Sequence, residues 1–78
     1  MSNALRYSML IAWSEEDQAY LVTLPEWADL AYMPVTHGGT YQEAAKHGQE
    51  ALESLVELFT EDGRPLPEPR PASDQAAS

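Results

Sequence analysis

No cysteine occurs in the 78-residue chain. Neither a disulfide framework nor a thiolate metal site can add stability, thiol nucleophilic catalysis is excluded, and the redox compartment is left open. Basic residues are scarce too: four Lys and Arg stand against thirteen Asp and Glu, a formal charge of −9. Phosphate-backbone recognition rests on clustered Lys and Arg, so this balance argues against nucleic acid as a direct ligand and favours a basic protein. No apolar run reaches the roughly eighteen residues that a membrane span needs. The N-terminal MSNALRYSMLIAW carries one Arg and a short apolar run, without a basic leader or a small-residue cleavage site. It predicts a strand rather than a signal peptide, and a soluble cytoplasmic protein is the resulting expectation. A chain this short suffices for one domain with an unfavourable surface-to-volume ratio, which oligomerisation would relieve.

What is present is organised around GGTYQEAAKHGQEALESLVELFTEDG, residues 38–63. Thr40 and Glu43 stand at capping-box spacing, which predicts a helix starting at about Tyr41. Gly63 tolerates positive φ, and Pro65 cannot continue a helix, so the stop is equally marked. At 100° per residue, Ala44, Ala51, Leu52, Leu55, Leu58 and Phe59 share one broad face, with Ala45 and Val56 at its border. Gly48 lies near the middle, where it weakens the helix by roughly 1 kcal/mol relative to Ala but permits close approach to a sheet. The opposite face carries Glu43, Lys46, Glu50, Glu53, Glu57 and Glu61. The like charges at 53, 57 and 61 stand one turn apart, each pair costing on the order of 0.2–0.5 kcal/mol. Such a stripe reads either as a solvated face or as a surface that a basic macromolecule neutralises.

Residues 6–13 alternate with period two, with Tyr7, Met9, Ile11 and Trp13 on one side. Glu15, Glu16 and Asp17 lie in the charged connector SEEDQ, of hairpin length. Residues 19–24 resume the alternation, with Tyr20, Val22 and Leu24 facing the core, and Pro25 ends it. Residues 30–36 predict a third strand, confined by Pro34 to a sheet edge or a bulge. The expected fold is α+β: a three-stranded antiparallel meander covered on one face by a long helix, β-β-β-α. Residues 1–63 form this domain, and residues 64–78 form a Pro-rich tail, extended at first and then frayed.

Convergent catalytic groups are few. Ser8, Ser14 and Ser54 lie in no local sequence suggesting an activated serine. His47 stands four residues after Glu43, so the two share a helix edge, but a closed metal site needs two further ligands. The acids at 15–17 lack the ligand spacing and glycine of a calcium loop. Gly38-Gly39 before a helix lacks the lysine of a phosphate loop, and Glu43 would repel a phosphate, so a turn is the preferred reading. Trp13 is expected to close the core. Trp27, in the loop PEWADL, fits a core position and an exposed interface anchor equally.

Taken together, YSMLIAW, the acidic hairpin, AYLVTLPE, GGTYQEA, QEALESLVELFTEDG and PLPEP resemble the HicB family of antitoxins over residues 7–69. The resemblance implies a partial, degenerate ribonuclease-H-like fold of three antiparallel strands and a helix, often with a fourth strand, that has lost the nuclease's metal-binding acids. The residues agree with that loss, for nothing acidic lies between Tyr7 and Trp13 to anchor two-metal hydrolysis. The resemblance further implies that the domain neutralises a small basic toxin of the HicA family. Such a toxin has a double-stranded-RNA-binding-like fold, cuts messenger RNA with a histidine, and is silenced when its RNA surface is masked. Two departures matter: longer members of the family continue into a DNA-binding domain that this chain does not reach, and PLPEPRPASD carries too many prolines for a ladder-forming fourth strand. Operator binding by the protein alone is therefore not expected, and an open edge on the first strand predicts a homo-oligomer, dimer or tetramer. The expected partner surface is Glu50, Glu53, Glu57 and Glu61 on the helix, Glu15, Glu16 and Asp17 on the hairpin, and Trp27. No catalytic residue, metal or cofactor is expected. A stand-alone adaptor binding another protein, and a residual metal-dependent nuclease, are the competing readings.

Overall fold

A computed structural model describes residues 6–70, and the expected fraying of the Ala-, Ser- and Asp-containing end lies outside the described residues. Strands β1 (Leu10–Ser14), β2 (Ala19–Thr23) and β3 (Thr36–Gly38) form one antiparallel sheet in the order β1-β2-β3. Helix α1 (Tyr41–Glu61) packs on one face, chiefly over β3 and β2. The fold is the expected β-β-β-α arrangement.

Both helix ends are built as the residues dictate. Thr40 Oγ1 accepts from the Glu43 amide at 3.0 Å, while the Glu43 carboxylate accepts from the Gly39 amide at 2.6 Å, one residue earlier than the usual capping box. At the far end Gly63 adopts φ 71°, its amide donates to the Thr60 carbonyl, and the Arg64 amide donates to the Phe59 carbonyl at 2.9 Å. These two bonds define a Schellman stop. The Arg64 guanidinium then lies 4.0 Å from the centre of the Phe59 ring.

The buried seam of α1 is Ala44, Gly48, Leu52 and Phe59, with Leu55 and Val56 half-buried beside it. A Cβ at Gly48 would stand 2.8 Å from Met9 Cε and 3.1 Å from Val22 Cγ1, so the close approach foreseen for this glycine is present. Closer still is Gly38, where a Cβ would meet backbone: the Ala44 nitrogen nearest of all, then Ala44 Cα at 2.8 Å and the Glu43 carbonyl carbon at 2.9 Å. Leu58, expected on the apolar face, is 52% exposed, because the seam curves away from it.

The strands differ from expectation in two places. β1 begins at Leu10 rather than Arg6, since its ladder partner β2 ends at Thr23 and Pro25–Trp27 turns away as a single 3-10 turn. Third-strand pairing starts after Pro34, with the Val35 amide donating to the Val22 carbonyl at 2.9 Å, so β3 falls on Thr36–Gly38 instead of residues 30–36.

The aromatic part of the core lies under the C-terminal half of α1, where Tyr7, Trp27 and Phe59 form an edge-to-face row with centroids 5.3 and 5.1 Å apart. Each such contact adds about 0.5–1.5 kcal/mol beyond the area it buries. Leu24, Val22, Leu52 and Ala44 complete the core, and Leu66 from the Pro-rich segment packs against it. The boundary expected after Gly63 therefore does not separate residues 64–70 from the domain. They lie extended along the N-terminal arm, with Tyr7 Oη donating to the Pro67 carbonyl at 2.7 Å and Ser8 Oγ donating to the Arg70 carbonyl at 3.1 Å. They form no strand.

Candidate functional site

Each acidic residue of the expected partner surface is exposed: Glu50, Glu53, Glu57 and Glu61 along α1, and Glu15, Glu16 and Asp17 at the hairpin. The fold does not bring the two sets together. The hairpin end of β2 lies by the start of α1, because Tyr20 pairs with Gly38 and its ring lies 4.3 Å from that of Tyr41. Glu57 stands sixteen residues further along the helix, about 24 Å at 1.5 Å per residue. Charge therefore concentrates at two separate places, not in one patch.

The helical set borders two open hollows. One, of about 450 Å³, runs between β3 and α1 and is lined by residues including His37, Glu43, His47, Glu50 and Ser54. The other, of about 240 Å³, is framed by Ser54, Glu57, Leu58 and Glu61, so an exposed apolar side chain sits among carboxylates. At the hairpin, two of three acids serve the turn itself. Glu15 Oε2 accepts from Trp13 Nε1 at 2.5 Å, and Asp17 Oδ2 accepts from Ser14 Oγ at 2.9 Å.

Trp27 is not an exposed anchor. It is 0% exposed, clamped between Tyr7 and Phe59, and its indole N–H has no hydrogen-bond partner among the described residues. The exposed indole is that of Trp13, expected in the core but 45% exposed, because α1 sits over β3 and β2 and leaves the outer strand thinly covered. The Glu43–His47 pair also has other work. Glu43 holds the Gly39 amide, and His47 Nδ1 lies 2.7 Å from the His37 carbonyl, which requires the proton on Nδ1 because a carbonyl only accepts. Among the described residues no group of three or more His, Asp and Glu is placed to hold a metal ion.

One functional-looking residue escaped sequence reasoning. Glu26 is a buried carboxylate whose oxygens accept from the Ser8 amide at 3.1 Å and the Arg70 amide at 2.8 Å. Burial pushes its pKa up, but the amides of Arg70, Ser8 and Glu26 itself and the Ser8 side chain outweigh this and hold it below the ordinary value. Tyr7 is shifted upward by burial and by the nearby charges of Glu26 and Glu68. This site joins the N-terminal arm, the 3-10 turn and the C-terminal segment. Its hydrogen bonds run to the backbone of two distant segments, and it reads as a structural clasp. Its partners lie 18 and 44 residues away, so no local signal could have found it.

Among the described residues no helix is long and apolar enough to cross a membrane. No protein-family model, curated protein or solved structure matches this chain.

Proposed function

We propose that this protein is an antitoxin-type binding module, related to the HicB family, that acts in the cytoplasm without chemistry of its own. It neutralises a small basic, messenger-RNA-cleaving toxin of the HicA type by covering that toxin's RNA-binding and catalytic surface. The observation that carries this reading is the exposed stripe Glu50, Glu53, Glu57 and Glu61 on a helix fixed at both ends. Like charges spaced one turn apart cost helix stability, and a basic partner converts that cost into attraction. Leu58 at 52% exposure, between Ser54, Glu57 and Glu61, supplies an apolar contact within the charged field.

The test is co-expression with the product of a neighbouring short, basic, histidine-containing reading frame. Wild-type protein should abolish that product's cleavage of messenger RNA, and Glu53→Lys with Glu57→Lys should restore it. Cleavage that continues beside the wild-type protein, or a block that survives the double reversal, contradicts the reading.

A second reading, a homo-oligomeric adaptor for another protein, is favoured by the sheet face opposite α1. There Leu10 is 57% exposed, and β1 has only β2 as a neighbour among the described strands. Both readings include a homo-oligomer closing over β1, and a monomeric mass by light scattering at micromolar concentration would remove it. A residual nuclease is the weakest alternative, since β1 reads LIAWS and carries no acid. Turnover with Mg²⁺ or Mn²⁺ that disappears on one carboxylate substitution would establish it instead.

A further inference from the structure

At the N-terminal end of α1, away from the Tyr7–Trp27–Phe59 cluster, three aromatic rings form a row over the helix side of the sheet. Trp13 and Tyr20 are directly opposite each other in the β1–β2 register, with centroids 5.1 Å apart and planes at 67°. Tyr20 continues to Tyr41, the first residue of α1, at 4.3 Å and 35°. This row leaves much of its outer members in water: Trp13 is 45% and Tyr41 62% exposed. Beside it stands the hairpin with Glu15, Glu16 and Asp17, and the Glu15 carboxylate is tied to the Trp13 indole N–H, fixing an anion at the rim of the ring.

We propose that this row, with the hairpin carboxylates at its edge, is a docking surface for an arginine side chain of a basic protein partner. The proposal deepens the antitoxin reading by naming a second contact, distinct from the helix stripe, and the chemistry that it takes. Aromatic faces carry negative quadrupole density and attract cations. A guanidinium can lay its plane on a ring while its edge donates to a carboxylate, whereas an ammonium is compact and strongly hydrated. The chain already places one guanidinium over a ring, Arg64 lying 4.0 Å from the centre of the Phe59 ring. The positive end of the α1 dipole, which would oppose a cation near Tyr41, is offset by the Glu43 carboxylate and the Thr40 hydroxyl on the first amides. The formal charge of −9 draws such a partner from a distance.

The experiment uses the full chain and two fluorescein-labelled probes of equal charge, hexa-arginine and hexa-lysine peptides, followed by anisotropy at low salt. Hexa-arginine should bind more tightly than hexa-lysine. Tyr41→Ala and Trp13→Ala should each reduce that preference by roughly two- to five-fold, the strength of an exposed cation–ring contact. Tyr41→Phe, which keeps a ring, should retain it. Glu53→Lys with Glu57→Lys should weaken both peptides alike and leave their ratio unchanged. Equal affinities for the two peptides, or a ratio indifferent to both alanine substitutions, would overturn the proposal. Because no toxin is involved, that result would leave the antitoxin reading standing, and continued RNA cleavage in co-expression would leave this one standing.

Discussion

Alanine at Gly38 and alanine at Gly48 probe two places where helix and sheet nearly touch, and the surroundings predict opposite outcomes. At Gly38 the new Cβ would meet Ala44 Cα at 2.8 Å and the Glu43 carbonyl carbon at 2.9 Å. Both atoms belong to the first turn of α1, which the Thr40 and Glu43 caps hold in place, so relief requires moving the helix start away from β3. Overpacking of this kind costs about 1–3 kcal/mol, and rigid backbone on the receiving side places Gly38→Ala at the upper end. With a urea slope of about 1 kcal/mol per M for a small domain, the midpoint should fall by about 2–3 M. At Gly48 the nearest atoms are the thioether end of Met9, at 2.7 and 2.8 Å, and Val22 Cγ1 at 3.1 Å. The Met9 tip can rotate aside, the stiff Val22 resists slightly, and the helix gains about 1 kcal/mol from losing an interior glycine. The net change for Gly48→Ala should stay within about 1 kcal/mol of zero. Equilibrium urea unfolding followed by far-UV circular dichroism reads both. If Gly48→Ala is the more damaging of the two, or Gly38→Ala unfolds at the wild-type midpoint, the close-approach reasoning is wrong.

Three further outcomes follow from the same packing. Glu26→Gln should cost about 1.5–3 kcal/mol at neutral pH by weakening charge-assisted acceptance from the Ser8 and Arg70 amides. The folded pKa of Glu26 lies below its ordinary 4.5, so its contribution is present above that pH and is lost as pH falls through the folded value; the stability gap between wild type and E26Q should narrow on acidification. Gln18 sits at φ 52°, so Gln18→Gly should stabilise by about 0.5–1 kcal/mol in thermal unfolding, after loss of the exposed side-chain bond to the Glu15 carbonyl. Trp27→Ala should cost about 3–5 kcal/mol and unfold a domain of this size, whereas Trp13→Ala, which loses a half-exposed ring and its edge-to-face contact with Tyr20, should cost about 1–2 kcal/mol. Emission from the Trp27→Phe protein, which reports Trp13 alone, should be red-shifted relative to wild type; a blue-shifted spectrum would contradict the assignment of the exposed indole.

The sequence by itself determined what depends on neighbours along the chain. The α1 start at Tyr41, its stop at Gly63, the hairpin and the core side of β2 follow from caps, turn residues and periodicity within a few positions, and each is where those signals put it. The exposure of the acidic stripe follows in the same way from helix period alone. Where the deciding partner is distant in sequence, local pattern is silent. Trp13, expected in the core, is half-exposed, and Trp27, for which core and interface fitted equally, is buried, because coverage by α1 depends on which strand the helix lies over, a property of the packed sheet and not of either tryptophan's neighbours. Glu26 looks like any acid after a strand-ending proline until the fold brings the amides of Ser8 and Arg70 to it, and that convergence makes a carboxylate favourable where burial alone would expel it. The separation of hairpin and helix acids was likewise decided by tertiary structure: the register that pairs Tyr20 with Gly38 sets the hairpin beside the start of α1, a helix length away from Glu57 and Glu61.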